Sequence, residues 1–206
     1  AEFDGKNYIP KMNEDYFNKH IPSKEDIYGY SKYEIAKDIL NRKRNIYNLR
    51  AFGIFGKYED YRRRLISNNI CRLLQGKNIV LNKNGCFDYM YVNDFSKIVE
   101  MFISKKPKYS TYNTCTGEVI EFLTIVKIIN EADGRNKPIQ VKQEGINPEY
   151  SGDNSRFVDE FGSMNLTSPK VSIKELYNWY KDDSNLKFDE KLFETWIKNW
   201  LKNKLK

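Results

Sequence analysis

PSKEDIYGYSKYEIAK at residues 22–37, followed by NIYNLRAFGIFG at 45–56, is the stretch that decides the fold. From about Lys24, Tyr30, Tyr33, Ile35 and Ile39 recur at helical spacing and predict a helix running to about Arg44. Asn45 to Phe52 then alternates, rich in aromatic residues, and predicts a strand that stops at Gly53 and Gly56. A helix feeding a strand in this way is α/β grammar.

Working outward, residues 61–74 place Leu65, Ile66, Ile70, Leu73 and Leu74 on one face of a helix closed by Gly76. Residues 78–82 and 86–92 read as short strands around an Asn84-Gly85 turn. A helix follows, with Asn93 or Asp94 as its N-cap and Ile98, Val99, Met101 and Phe102 as its apolar face. Strands are expected at 109–115 and 139–142, and helices at 121–131 and near 154–161, 172–182 and 188–204. The last is amphipathic through Leu192, Phe193, Trp196, Ile197, Trp200 and Leu201. Residues 1–24, polar and broken by Pro10 and Pro22, read as a long surface connection.

The 206 residues, 40% hydrophobic, suffice for one sizeable core and a small satellite layer. The net charge of +7 comes from 35 basic and 28 acidic residues mixed along the chain. That mixing reads as a solvated lysine-rich surface rather than a stripe for nucleic acid, and no nucleic-acid partner is expected. Cys71, Cys86 and Cys115 are widely spaced, form no CxxC and have only His20 to join them. They read as reduced, buried thiols in a cytoplasmic protein, with no metal site. No run of 18 apolar residues spans a membrane, and the first residues lack the order of a secretion signal.

The chemistry centres on Tyr28-Gly-Tyr-Ser-Lys32, where the i, i+4 spacing sets Tyr28 and Lys32 one turn apart on one face. A phenol is a poor base at neutral pH, and a neighbouring ammonium favours its phenolate, so the pair suits proton transfer. Alone the pattern is common, since an ordinary helix surface carries the same spacing.

Together, the Tyr-Gly-x-Ser-Lys helix and the following LRAF strand resemble the extended short-chain dehydrogenase/reductases of the NAD-dependent epimerase/dehydratase type that act on nucleotide sugars. FDYMYVNDF at 87–95 resembles the family's strand-plus-Asp motif. TYNTCTGEVIEFLTIVKII at 111–129 resembles its Tyr-Asn-x-x-x-Gly step, and GDNSRFVDEFG at 152–162 its later Asp-x-Ser-Lys region. The motifs occur in the family's order and span nearly all of residues 1–185.

The resemblance implies an α/β fold: the C-terminal portion of a Rossmann-like domain plus a small mixed α/β substrate-binding domain, with the N-terminal dinucleotide-binding strands missing. Residues 1–56 would be the Rossmann remnant, and 57–206 mainly the substrate domain with a helical tail, about 86–115 returning to the Rossmann part. It implies NAD or NADP as cofactor, with Tyr28, Lys32 and Phe52 toward it. Tyr28 would exchange a proton with the sugar hydroxyl or keto oxygen, and Lys32 would hold the nicotinamide ribose and favour the phenolate. It implies a nucleotide-sugar substrate, with Gly53, Arg62, Phe87 and Asp153 as candidate contacts. Arg50 is as well read as part of a structural ion pair as a ligand contact.

Three positions depart from the family pattern. Gly53 stands where an Asn is usual, Phe87 where an Arg precedes the Asp motif, and no Arg precedes Gly152-Asp153. Those family residues commonly meet the diphosphate, so either another basic group such as Arg62, Arg63 or Arg64 substitutes or the ligand differs. Phe87 and Tyr89 read either as a stacking surface for a base or as plain core.

The eleven glycines contain no G-x-x-G-x-x-G turn of the kind that lets backbone N–H groups approach a pyrophosphate. By the resemblance, that turn, the helper Ser/Thr and the determinants of NAD against NADP lie upstream of Ala1, and the chain reads as an interior piece of a longer product. Unflanked strand edges then predict association, as a homo-oligomer or through those edges. The expected activity is epimerase or 4-keto reductase, inactive as an isolated chain; the other reading is a non-catalytic nucleotide-sugar-binding or assembly module.

Overall fold

Asp26 starts the first helix. Its carboxylate accepts the Gly29 N–H at 3.0 Å, and α1 (Ile27–Asn41) runs on until Arg42 turns extended. The computed structural model describes residues 8–16, 20–42 and 45–182; the helix expected at 188–204 lies outside them. The buried line of α1 is made by the small residues Gly29 and Ala36, with Tyr33 half-buried between them. Ile35, one of the residues whose spacing predicted the helix, remains exposed along with Ile27, Tyr28 and Leu40.

The strand expected at 45–52 is shorter, and the chain does not leave strand structure at Gly53, as expected, but starts a second strand there. β1 (Asn48–Ala51) and β2 (Gly53–Phe55) are separated by Phe52, where the chain changes partner. β3 (Ile79–Asn84), β4 (Cys86–Phe87), β5 (Tyr89–Tyr91), β6 (Thr111–Thr114), β7 (Ile120–Glu121) and β8 (Ile139–Ile146) complete the strands. β1 pairs in parallel with β6, β2 with β5 and β3 with β8, while β4 pairs antiparallel with β7.

The Asn84-Gly85 hairpin is not formed. Asn84 is the last residue of β3, and its amide is committed elsewhere, donating to Glu121 Oε1 at 2.7 Å and accepting the Leu123 N–H at 3.3 Å. The two strands it was expected to fold together therefore join different partners.

α2 (Leu65–Leu74), α4 (Phe122–Asp133) and α6 (Pro169–Lys181) close over β3 to make the larger core. Ile66, Ile70, Leu73, Ile79, Ile125, Ile129, Ile173 and Leu176 are essentially inaccessible there. Each such side chain contributes about 1.5–3 kcal/mol of burial. Gly76, at φ +75°, ends α2 as expected, its N–H reaching the Leu73 carbonyl at 2.8 Å. A smaller core forms where Met90 and the buried β6 residue Tyr112 meet Ile98 and Phe102 of α3 (Val92–Ser104) and Phe157 of α5 (Ser155–Phe161).

α3 begins after Tyr91 rather than after Asn93 or Asp94. Asp94 lies inside the first turn, with its carboxylate turned away from the helix end toward the Thr167 N–H at 2.8 Å and Lys97 at 2.7 Å. The N-terminal connection is also not wholly superficial. Met12 and Glu14 are buried, because Met12 bridges to Gly152 and its carbonyl accepts from Asn113 at 2.8 Å. Arg50 is a structural anchor for the same segment, its guanidinium donating to the Glu14 carbonyl at 2.6 Å.

Candidate active site

Tyr28 is the second residue of α1 and 65% exposed, with its backbone carbonyl accepting from Ser31 Oγ at 2.9 Å. One turn on, Lys32 Nζ lies 5.7 Å from the centre of the Tyr28 ring, so the spacing in the sequence does bring the pair together. The next residue, Tyr33, turns inward and packs with Tyr8, Phe52 and Tyr150 against Met12 and Tyr16. The Tyr-Lys pair thus stands at the border of an aromatic group.

Phe52 and Phe87 both belong to that group. Phe52 lies 5.0 Å and Phe87 5.2 Å, ring centre to ring centre, from Tyr150. Gly53 offers the site only backbone: a Cβ there would fall 2.6 Å from the Asp88 carbonyl and 2.8 Å from the Tyr89 ring. Asp153 caps the turn into α5, accepting from the Ser155 N–H at 2.8 Å and from its hydroxyl. The Ser155 hydroxyl and N–H hold this carboxyl below the usual range, against the upward push of burial. Arg62 sits apart on the loop before α2, its guanidinium 5.4 Å from the Tyr61 ring centre.

A cavity of about 450 Å³ opens between β5, the loop at 116–120 and the start of α6, lined on the strand side by Phe55, Tyr89 and Tyr91. Two aspartates of the FDYMYVNDF segment hold its opposite walls. Asp88, fully buried, accepts the Thr116 and Gly117 N–H groups, each at 2.9 Å, and the Thr116 hydroxyl at 2.7 Å. Asp94 accepts the Thr167 N–H and hydroxyl. Burial pushes Asp88 above the ordinary carboxylate range despite these donors. At Asp94 burial also works upward, but the Lys97 and Thr167 bonds together outweigh it and the carboxyl is lowered. Burial raises Tyr89 and Tyr91 to about 12, so both phenols stay neutral at neutral pH.

Sequence reasoning did not find this cavity, because its walls come from stretches far apart in the chain, near 55, 66, 89–91, 116–125 and 166–173. The pair Asp88 and Asp94, flanking the Tyr-Met-Tyr strand, was the available signal.

The family model described as NAD dependent epimerase/dehydratase matches residues 3–115, more than half of the chain. The chain belongs to this family. Its likeness to solved structures shows the fold. The Bordetella bronchiseptica enzyme WbmG, solved with NAD and UDP, matches at TM-score 0.72 and 19% identity over 87% of this chain and 56% of that one. UDP-glucuronic acid 4-epimerase from Bacillus cereus, solved with NAD, matches at 0.69 and 16% over 88% and 57%. dTDP-glucose 4,6-dehydratase from Bacillus anthracis, also solved with NAD, matches at 0.71 and 16% over 88% and 59%. The chain therefore spans less than two thirds of the length of these structures. A comparison with curated proteins returns no match.

For an NAD-dependent epimerase/dehydratase family member, the residues present fit one end of the cofactor. A phenol and an ammonium one turn apart suit a nicotinamide ribose, whereas no strand-to-helix turn among the described residues has the glycines a diphosphate needs. Gly53 and Gly56 serve packing instead; a Cβ at Gly56 would lie 2.8 Å from Val92 Cβ. Among the described residues no cluster of His, Cys, Asp and Glu is placed to hold a metal ion, and no helix is long and apolar enough to cross a membrane.

Proposed function

We propose that this chain carries the proton-transfer helix and the substrate-binding part of an NAD(P)-dependent epimerase or 4-keto reductase acting on a nucleotide sugar, and that by itself it does not turn over. The observation that carries the proposal is the placement of Lys32 over the Tyr28 ring at the edge of the aromatic group, beside strands that match the family. When bound, the nicotinamide supplies the hydride acceptor and donor for the sugar carbon. The Tyr28 oxygen takes the hydroxyl proton as that carbon becomes a ketone and returns it on reduction. Lys32 holds the ribose hydroxyls and keeps positive charge beside the phenol. Asp88 and Asp94 fix the two cavity walls against which the rest of the substrate lies.

The other reading, a non-catalytic nucleotide-sugar-binding or assembly module, is favoured by the absence of a G-x-x-G-x-x-G turn from residues 1–206. Calorimetric titration separates the two when combined with complementation. The chain alone is expected to bind UDP-sugar and not NAD⁺ or NADP⁺. A separately expressed glycine-rich half from a family member is expected to restore turnover, read for an epimerase by chromatographic conversion of the nucleotide sugar and for a 4-keto reductase by loss of NAD(P)H absorbance. Restored turnover that survives Tyr28→Phe removes Tyr28 from the role. No turnover with any supplied half favours the binding module.

A further inference from the structure

A groove of about 750 Å³ opens where the chain enters β1 and β6, between residues 45–47 and the loop at 105–110. It shares no lining residue with the cavity beside Tyr89, and neither Tyr28 nor Lys32 lines it. The half-buried Tyr47 and the buried Phe102 contribute rings with centres 5.9 Å apart, edge to face. Ile46, Ile103 and Tyr109 line the same groove while 41%, 80% and 43% exposed, so apolar surface stands open to water around it. A single exposed apolar residue is ordinary, whereas several grouped around one recess with a charged rim mark an interaction site.

Every charged side chain lining the groove is a lysine: Lys105, Lys106 and Lys108, all on the loop from α3 to β6. The backbone of that loop is held in place. Lys105 N–H donates to the Met101 carbonyl at 2.9 Å, Lys108 N–H to Glu160 Oε1 at 2.7 Å and Tyr109 N–H to the Tyr112 hydroxyl at 2.8 Å, while Pro107 is buried. The three lysines themselves are exposed, and none forms an ion pair with a described carboxylate. Glu160 is the counter-charge at the loop, and its oxygens already accept from the Lys108 N–H and the Tyr112 hydroxyl. Arg156, 4.9 Å from the Tyr109 ring centre, is paired with Glu14 and Asp15. Three ammonium groups against one carboxylate leave the rim positive. Ammonium groups fixed close together on one loop repel each other and gain when carboxylates come between them.

The geometry points to this groove as a docking site for an acidic segment of a partner protein, its carboxylates against Lys105, Lys106 and Lys108 and one apolar side chain against Ile46 and Ile103. Charge complementarity selects the acidic partner, and the exposed isoleucines select an apolar residue within it. A recess takes a protruding segment, whereas a flat bilayer would leave it unfilled.

Fluorescence polarisation of the full chain with a labelled peptide of four glutamates around a central leucine tests it. The peptide is expected to bind, and to bind more weakly as salt rises. Lys105→Glu, Lys106→Glu and Lys108→Glu together are expected to weaken binding at least about tenfold, and Ile103→Ser about threefold. These positions are exposed, and circular dichroism checks that the variants fold. A control reversing Lys127, Lys142 and Lys174, exposed outside the groove, is expected to leave affinity unchanged. Equal losses in both triple variants would make the attraction general to a basic chain and overturn the docking site, as would failure of the peptide to bind. Unchanged affinity of a peptide with glycine for leucine overturns the apolar contact. Binding to phosphatidylserine-containing vesicles in place of the peptide, abolished by the groove triple variant, assigns the face to a membrane. Self-association abolished by the same variant assigns it to a second copy, and either result overturns the partner proposed.

Discussion

The ring of Phe52 lies against Gly152: a Cβ built at Gly152 would fall 2.6 Å from Phe52 Cζ and 2.8 Å from Cys115 Sγ. Gly152 also pairs with Met12, so the same residue lets the aromatic group and the N-terminal segment close on β6 together.

Gly152→Ala is therefore expected to cost about 1–3 kcal/mol through overpacking, measured by urea unfolding. Phe52→Leu in the same chain is expected to recover part of that loss by vacating the ring position. A glycine-to-alanine change that is neutral would show that Phe52 moves aside freely.

Asp94 gives a pH dependence with a definite sign. Its carboxyl is lowered in the fold relative to an unfolded value of about 3.9, so its contribution is present above that value and lost as pH falls through the folded one. Asp94→Asn is expected to destabilise the chain by about 1–3 kcal/mol at pH 7, where two Thr167 donors and Lys97 lose a charged acceptor. The gap between wild type and variant should close on acidification. A gap that is constant down to the acid range would mean that the carboxylate charge contributes nothing.

Thiol chemistry checks the electrostatics around the aromatic group. Cys71 and Cys115 are buried, and Cys86, expected from sequence to be buried too, is half-exposed at the start of β4. Burial first, then Glu59, pushes Cys71 to about 12; burial first, then Asp88, raises Cys115; and burial, Glu121 and Glu149 raise Cys86. Ellman's reagent is expected to modify Cys86 alone in the native chain, slowly, and all three thiols after denaturation. Glu149→Gln is expected to speed the native reaction. Native modification of two or more thiols contradicts the packing around Cys71 or Cys115.

How much was legible follows from what each signal depends on. The Tyr-Lys helix, the LRA strand and the helical face at Leu65–Leu74 are local patterns, and the structure has them within a few residues. Asn84-Gly85 looked like a hairpin because turn chemistry is local too, but its amide is claimed by Glu121 and Leu123, 37 and 39 residues away. Asp94 was read as a cap for the same reason, while Thr167 claims it across 73 residues. The cavity and the aromatic group join positions such as 52, 89, 150 and 167, which no periodicity connects. The departures at Gly53 and Phe87 were visible as residues, yet only the fold shows that one is filled by Tyr89 and the other by ring contacts.

The proposed catalytic pair, Tyr28 and Lys32, makes the sharpest functional prediction. Tyr28 is exposed on α1 and makes its local contacts through its backbone and through Lys32, so Tyr28→Phe should leave the urea midpoint unchanged. In a complemented enzyme the same variant should lower kcat by about 10²–10⁴, the usual contribution of a positioned acid–base group, with substrate KM little changed. Lys32→Met should weaken cofactor binding as well as lower kcat, because the proposal gives the ammonium two roles, and Lys32→Arg should recover binding better than rate, since a planar guanidinium replaces a point charge. Equal losses in kcat and stability for Tyr28→Phe would instead make Tyr28 a packing residue and return the chain to the binding-module reading.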